Sequence, residues 1–352
     1  MTWADPPVVR PRPTRRFGRR PGCLLAVVAV LAVVLALAAV AHRRELRTPA
    51  ELPPLTTAPA TGAPVPAGTI VYDNNRTGHY ELYTMPGDGG GVHQLTSTPD
   101  QDSWWGRISP DRSRILFYRT PAGTYDKDYT RTSLWVMNAD GSGVTELRPE
   151  AADGWALQGH AEWAPDGRSL VMFGGKRSNP QIWVTDARGR TPRAVTERGG
   201  SNVDPSWSPD GRTVVFVGCP SALCRPVSQE LYTVPAGGGT PRRLTEDSIR
   251  DNDPYYSPDG ARIAWLSQTS DKGPAGVWNI RIAAADGSGV RQVTADEQVN
   301  SRPQWSADGG LLFFHRLVYG KGGFGLWQVK PDGSGLRDLT AGQPGSYGYP
   351  GT

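Results

Sequence analysis

Trp207-Ser208-Pro209-Asp210-Gly211-Arg212-Thr213-Val214-Val215-Phe216 decides how the chain is read: a polar turn runs straight into an apolar strand, and the combination recurs. Related copies stand at Trp163-Ala164-Pro165-Asp166-Gly167, Tyr256-Ser257-Pro258-Asp259-Gly260, Trp305-Ser306-Ala307-Asp308-Gly309 and, weaker, Ile108-Ser109-Pro110-Asp111-Arg112. Their aspartates are spaced by 55, 44, 49 and 49 residues. A strand-rich repeat with a period in that range is the signature of a propeller blade.

Working outward, each unit holds four short apolar runs separated by turns. The first enters the Pro-Asp-Gly turn and the second leaves it, as in Ile115-Leu116-Phe117-Tyr118 and Leu311-Leu312-Phe313-Phe314. The third carries an aromatic after an aliphatic residue: Leu82-Tyr83, Leu134-Trp135, Ile182-Trp183, Leu231-Tyr232, Val277-Trp278 and Leu326-Trp327. The fourth closes in Leu-Thr or a relative, from Leu95-Thr96 to Leu339-Thr340. A second Gly-rich turn, such as Asp286-Gly287-Ser288-Gly289, joins the third run to the fourth. Asp-Gly pairs supply the positive φ that tight hairpins demand. The pattern predicts an all-β fold, a six-bladed β-propeller of four-stranded antiparallel blades over residues 68–352.

Six copies of the third and fourth runs stand against five copies of the Pro-Asp-Gly turn. The ends of the repeat region account for the difference, because residues 65–72 open with a second strand lacking a first, while 346–352 fall where a first strand belongs. The C-terminal strand 346–352 is therefore predicted to complete the first blade and leave no open sheet edge at the seam.

The Trp-Ser-Pro-Asp-Gly-Arg turn, the apolar strand after it and the Leu-Thr closing resemble the WD-like propeller repeats of the TolB family, over roughly residues 68–352. The resemblance implies a propeller that binds proteins or peptides at one end of its central channel, with no cofactor. An α/β pattern of the TolB type does not precede the repeats, which sets a Tol-type role apart from the shared fold.

The N-terminal part is read separately. Residues 1–22 are basic, Pro-rich and without apolar period, and are predicted to be a disordered cytoplasmic tail. Cys23 to Ala41 gives 19 uncharged residues, nearly all Ala, Val and Leu, about the length of a helix crossing a ~30 Å hydrocarbon layer. Six Arg precede it and three follow, which places the N-terminus inside and the repeats outside the cytoplasm. This predicts one transmembrane helix at 23–41 and a single-pass cell-membrane protein. The alternative is a signal peptide cut near Ala41, which secretes the same domain. Residues 42–67, Pro-rich, form a linker.

The net charge of +4 would suggest nucleic acid, but residues 1–50 hold nine Arg against Asp5 and Glu45. The remainder has 29 basic against 32 acidic residues. A mildly acidic repeat domain argues against a phosphate-binding surface and so against nucleic acid.

Motif chemistry is sparse. The aspartates 111, 166, 210, 259 and 308 are read as turn residues bonding local backbone. Neither a nucleophile elbow nor a metal-ligand spacing among His79, His93, His160 and His315 is found, so no metal and no catalytic residue is assigned. Cys219 and Cys224 are read as a disulfide closing a loop outside the cytoplasm. What varies between units is the position three residues before the Trp register: Trp105, His160, Asp204, Asp253, Arg302 and Tyr349. Entering the innermost strands, these converge on the axis and make a candidate binding ring, or they cap the entering strands. Long loops at 119–133, with Tyr125, Asp126 and Tyr129, and at 218–229 are expected to open on the same face.

The leading expectation is a non-enzymatic module binding a protein, peptide or envelope polymer at this face. The alternative is a propeller lyase or glycosidase on extracellular polysaccharide, using His160, Asp204, Asp253 and Arg302. Buried carboxyls ~5–10 Å apart in a closed cleft would favour the enzyme, and an open funnel the binding module.

Overall fold

The structure, a computed structural model, describes residues 63–197, 200–219, 229–247, 249–320 and 323–352. The expected tail at 1–22, the transmembrane helix at 23–41 and most of the linker lie outside these residues. Among the described residues no helix is long and apolar enough to cross a membrane. Residues 63–67 of the expected linker lie against the repeat domain, where the Val65 N–H donates to the Arg112 carbonyl at 3.1 Å and Val65 packs beside Leu82 and Ile108.

The described domain is all-β, with short 3₁₀ turns at Tyr129–Arg131 and Ala152–Gly154. Strands β1 (Thr69–Asn74), β2 (Glu81–Pro86) and β3 (His93–Gln94) are joined by β24 (Tyr347–Gly351) in the order β24-β1-β2-β3. The C-terminal strand thus completes the first blade, pairing Asp73 with Gly348 and Val71 with Gly351. Strands β4 (Gln101–Ile108) to β7 (Thr145–Arg148), β8 (Leu157–Trp163) to β11 (Arg193–Ala194), and β12 (Asn202–Trp207) to β15 (Arg242–Arg243) make three more four-stranded antiparallel blades.

The remaining strands, β16 (Asp251–Tyr256) to β23 (Arg337–Asp338), depart from the expected pattern of separate blades, because they form one eight-stranded sheet. Within it two antiparallel runs, β16–β19 and β20–β23, meet at a single parallel pair, Trp278 of β18 (Val277–Ala284) opposite Val299 of β20 (Val299–Trp305). The link is local, a Trp278 N–H donating to the Gln298 carbonyl at 3.0 Å.

The turns hold as read. Ser208 donates to Asp210 at 2.6 Å and the Arg212 N–H donates to the same carboxylate at 3.0 Å; the turns at 111, 259 and 308 repeat this. The closing Thr has a function that composition hid. In five of the repeat units its hydroxyl accepts from the backbone N–H of the residue 14 positions earlier on the third strand: Thr96 from Leu82, Thr196 from Ile182, Thr245 from Leu231, Thr294 from Ile280 and Thr340 from Leu326, at 2.9–3.0 Å. This corrects one alignment. The residue equivalent to Leu231 is Ile280, so Val277-Trp278 lies three positions ahead of the third-strand register, in a strand lengthened toward its neighbour.

Blades meet through aromatic and aliphatic side chains. Trp163 and Trp305 donate their indole N–H to carbonyls of another blade's innermost strand, Arg107 and Tyr255, both at 3.1 Å. Gly141 (φ +87°) sits where a Cβ would stand 2.9 Å from the Leu95 carbonyl of the preceding blade, so this Asp-Gly turn needs glycine for both conformation and contact.

Candidate functional site

The six positions singled out by alignment share one backbone state. Trp105, His160, Asp204, Asp253, Arg302 and Tyr349 all have φ between +41° and +60°. Each lies where the innermost strand shifts register against its neighbour. Left-handed backbone costs a non-glycine residue of order 1–3 kcal/mol, and a bulge turns a side chain that would otherwise follow the pleat. The bulge therefore aims each of these side chains into the centre instead of capping its own strand.

They meet there. Trp105 stacks on His160 with centroids 3.9 Å apart, and the Arg302 guanidinium lies 5.0 Å from the Trp105 ring and 4.3 Å from that of Tyr349. Arg302 donates to Asp253 at 2.5 Å, and His160 Nδ1 is bonded to Asp204. From the loop at 119–133, the Tyr129 hydroxyl bonds His160 Nε2 at 2.8 Å and the Asp126 carboxylate, and Asp126 stands 3.5 Å from Arg302. The loop thus covers the ring. Trp105, Tyr349, His160 and Asp253 are 4 % exposed or less.

Burial sets the protonation states. It pushes Asp253 up to about 6 against the pull of Arg302, and raises Asp204 against the same residue. It holds the His160 imidazole well below its usual range, with Arg302 acting in the same direction. A neutral imidazole is what remains.

Alignment missed two parts of this centre. Two residues on from the ring, Arg107, Glu162 and Tyr255 span the axis: Arg107 donates to Glu162 at 2.6 Å and to the Tyr255 hydroxyl at 3.1 Å, and that hydroxyl donates to Glu162 at 3.1 Å. The signal was a charged or hydroxyl-bearing residue two positions after the ring residue in three innermost strands, just past the bulge. The other is Asp73, fully buried in β1, which accepts from the Tyr125 hydroxyl at 2.8 Å. Burial raises its carboxyl to about 8, with the Tyr125 bond opposing. A carboxylate in an otherwise apolar strand was its visible mark.

The centre is neither of the two arrangements the sequence set against each other. Asp204 and Asp253 are buried, but the ligand atoms of His160, Asp204 and Asp253 all lie within 4.8 Å of one another, and each carboxylate already has a partner. One imidazole and two carboxylates could hold a divalent cation, a grouping that sequence spacing did not show; here the Arg302 guanidinium supplies the positive charge. Of the expected disulfide, Cys219 is buried and disulfide-bonded, while Cys224 lies outside the described residues, as does most of the loop at 218–229.

Comparison with known proteins supports the fold reading. The chain is 30 % identical over 153 residues to a protein TolB homolog of Chlorobium luteolum, covering 42 % of this chain and 31 % of that protein. It is 37 % identical over 76 residues to the Tol-Pal system protein TolB of Nitratidesulfovibrio vulgaris, covering 20 % of this chain and 17 % of the relative. The chain thus spans less than a third of the length of these curated relatives. Crystalline TolB from Acinetobacter baumannii superposes with a TM-score of 0.64 at 20 % identity, over 81 % of this chain and 66 % of the other. No family model matches the chain.

Proposed function

We propose that this chain is a membrane-tethered, extracytoplasmic six-bladed propeller that binds a protein or peptide without catalysing a reaction. The blade count takes the two antiparallel runs of the eight-stranded sheet as separate blades, since one parallel residue pair joins them. The tether and the location follow from the apolar run at 23–41 and its flanking arginines. The likeness to TolB, one relative of which belongs to the Tol-Pal system, supports a binding role for the propeller part alone.

The observation that carries this reading is that the central carboxylates are covered and internally paired. A glycoside-cleaving pair needs one free acid and one free base or nucleophile beside an entering sugar. Asp253 is committed to Arg302 and Asp204 to His160, beneath Tyr129 and Asp126. The ring then orders the loop, and the outward face of the loop, with Lys127 and Arg131 exposed, meets the partner. A loop held in place from beneath on a rigid scaffold binds at low ordering cost.

The test is chemical crosslinking and affinity capture with the full-length chain, comparing wild type with Lys127→Glu/Arg131→Glu. The expected outcome is loss of a specific captured protein by the loop variant, with unchanged stability. Polysaccharide preparations incubated with the protein should show no new reducing or unsaturated ends. Release of such ends, abolished by Asp253→Asn, would establish the lyase or glycosidase reading instead.

A further inference from the structure

Between consecutive blades, the residue just before the Thr-bonded position of a third strand faces a residue of the next blade's innermost strand. Where both are amides they bond each other. Asn202 donates to Gln181 at 3.0 Å, and Asn300 donates to Asn279 at 3.3 Å. At the junction between these two the same positions carry Glu230 and Asp251.

Two carboxylates cannot bond each other as two amides do. Glu230 Oε1 accepts from Arg243 at 2.9 Å, and Asp251 Oδ1 accepts from Trp265 at 3.0 Å and Ser267 at 2.6 Å. The other oxygen of each, Glu230 Oε2 and Asp251 Oδ2, is buried with no well-formed hydrogen bond among the described residues, the Thr245 hydroxyl being the one donor near both. The two side chains are 1 % and 0 % exposed. Thr245, beside both, has one hydroxyl proton to give. By contrast Glu81, the equivalent acid in the first blade, has both oxygens bonded, by Thr96, Thr98 and His79.

A third carboxylate completes the group. Asp247 stands at the rim, half open to solvent, and its ligand atom lies within 4.8 Å of those of Glu230 and Asp251. Asp247 is held in place by the Ile249 N–H at 2.8 Å and Arg281 at 3.2 Å. Three carboxylates exceed the two nearby guanidinium groups, so the group retains unbalanced negative charge. An all-oxygen donor set with one member open to water suits a hard cation that completes its shell with water.

We propose that Glu230, Asp251 and Asp247 form a calcium-class cation site that clamps two blades at a junction whose two neighbours, Gln181–Asn202 and Asn279–Asn300, use an amide pair. The ion replaces the missing hydrogen bond and neutralises two buried charges, so it ties the β14 strand (Glu230–Pro235) to β16. This site is independent of the central ring and of any partner.

The experiment uses the full-length chain, calcium-stripped, at pH 7.5. Titration with CaCl₂ is expected to raise Tm saturably, by roughly 5 °C at a hundredfold excess over Kd. Terbium should give emission sensitised through Trp265, whose indole bonds Asp251. Glu230→Gln/Asp251→Asn, which installs the Gln181–Asn202 pair, is expected to fold, to lose the calcium response and to lose that emission. Asp247→Asn, a surface change, should weaken the calcium response about tenfold, and it tests the site should the double variant fail to fold. A wild-type Tm indifferent to calcium, or a terbium signal that survives in both variants, overturns the proposal. In particular, a Tm that rises on acidification but ignores calcium means that the pair shares a proton instead.

Discussion

The outer turns and the inner ring both follow the repeat, yet they use it in opposite ways. At the Pro-Asp-Gly turns the same residues recur, and each aspartate is satisfied inside its own hairpin, as Asp210 is by Ser208 and Arg212. At the ring the backbone recurs, φ positive at all six positions, while the side chains differ and each is satisfied from another blade, as Asp253 is by Arg302 and Asp204 by His160. Local satisfaction lets a motif repeat; satisfaction across the axis requires that bonded partners differ, as Asp204 and His160 or Asp253 and Arg302 do.

Breaking the ring should therefore cost most. Asp253→Ala leaves the buried Arg302 guanidinium with the looser contact to Asp126 as its counter-charge, and is expected to lose ~3–5 kcal/mol in urea unfolding. A loss below ~1 kcal/mol would mean that water enters the ring and that the two regions do not differ as described.

The next effect is in pH. The Asp73 carboxyl is raised to about 8 by burial, so the folded state holds its proton while the unfolded state has released it. Its contribution is fully present below the unfolded value near 3.8 and is lost as pH rises toward 8. Asp73→Asn should flatten that decline, by on the order of 2 kcal/mol between pH 5 and 8. Wild type and variant compared by thermal unfolding across pH would show it, and parallel curves would refute it. His315, held down to about 3 by burial, works the other way, its contribution falling away as pH drops below 6.5.

Turn positions give smaller changes. Gly141→Ala meets both a φ of +87° and the Leu95 carbonyl, and should cost ~1–2 kcal/mol. Thr294→Val removes the acceptor for the Ile280 N–H and should cost about 1 kcal/mol by denaturant midpoint. Asp210→Ala, on an exposed turn, should shift Tm least of all; a fall matching that of Thr294→Val would show that the outer turns contribute more than local order.

Turn chemistry was legible because Pro-Asp-Gly and Asp-Gly-Ser-Gly act within four or five residues, and strands were legible from their apolar runs. The ring positions were legible as an alignment column, although their bulged, left-handed backbone was not, since Trp, His and Arg carry no mark of positive φ. The loop at 119–133 was expected to open over the ring; only coordinates show Tyr129 and Asp126 closing it. The register of Val277-Trp278 was misread because an aliphatic–aromatic pair looks the same three residues along, and the Thr294 bond that fixes Ile280 spans 14 residues.

The sequence by itself determined the repeat, the all-β class and the completion of the first blade by residues 347–351, because each follows from short-range patterns repeated along the chain. Tertiary structure alone decided which carboxylates are paired and which are left bare. Asp253 and Asp251 are two residues apart on one strand, yet one finds a guanidinium 49 residues away and the other keeps an oxygen without a well-formed hydrogen bond. Charge balance in a buried place is set by what lies across space, where sequence distance has no bearing.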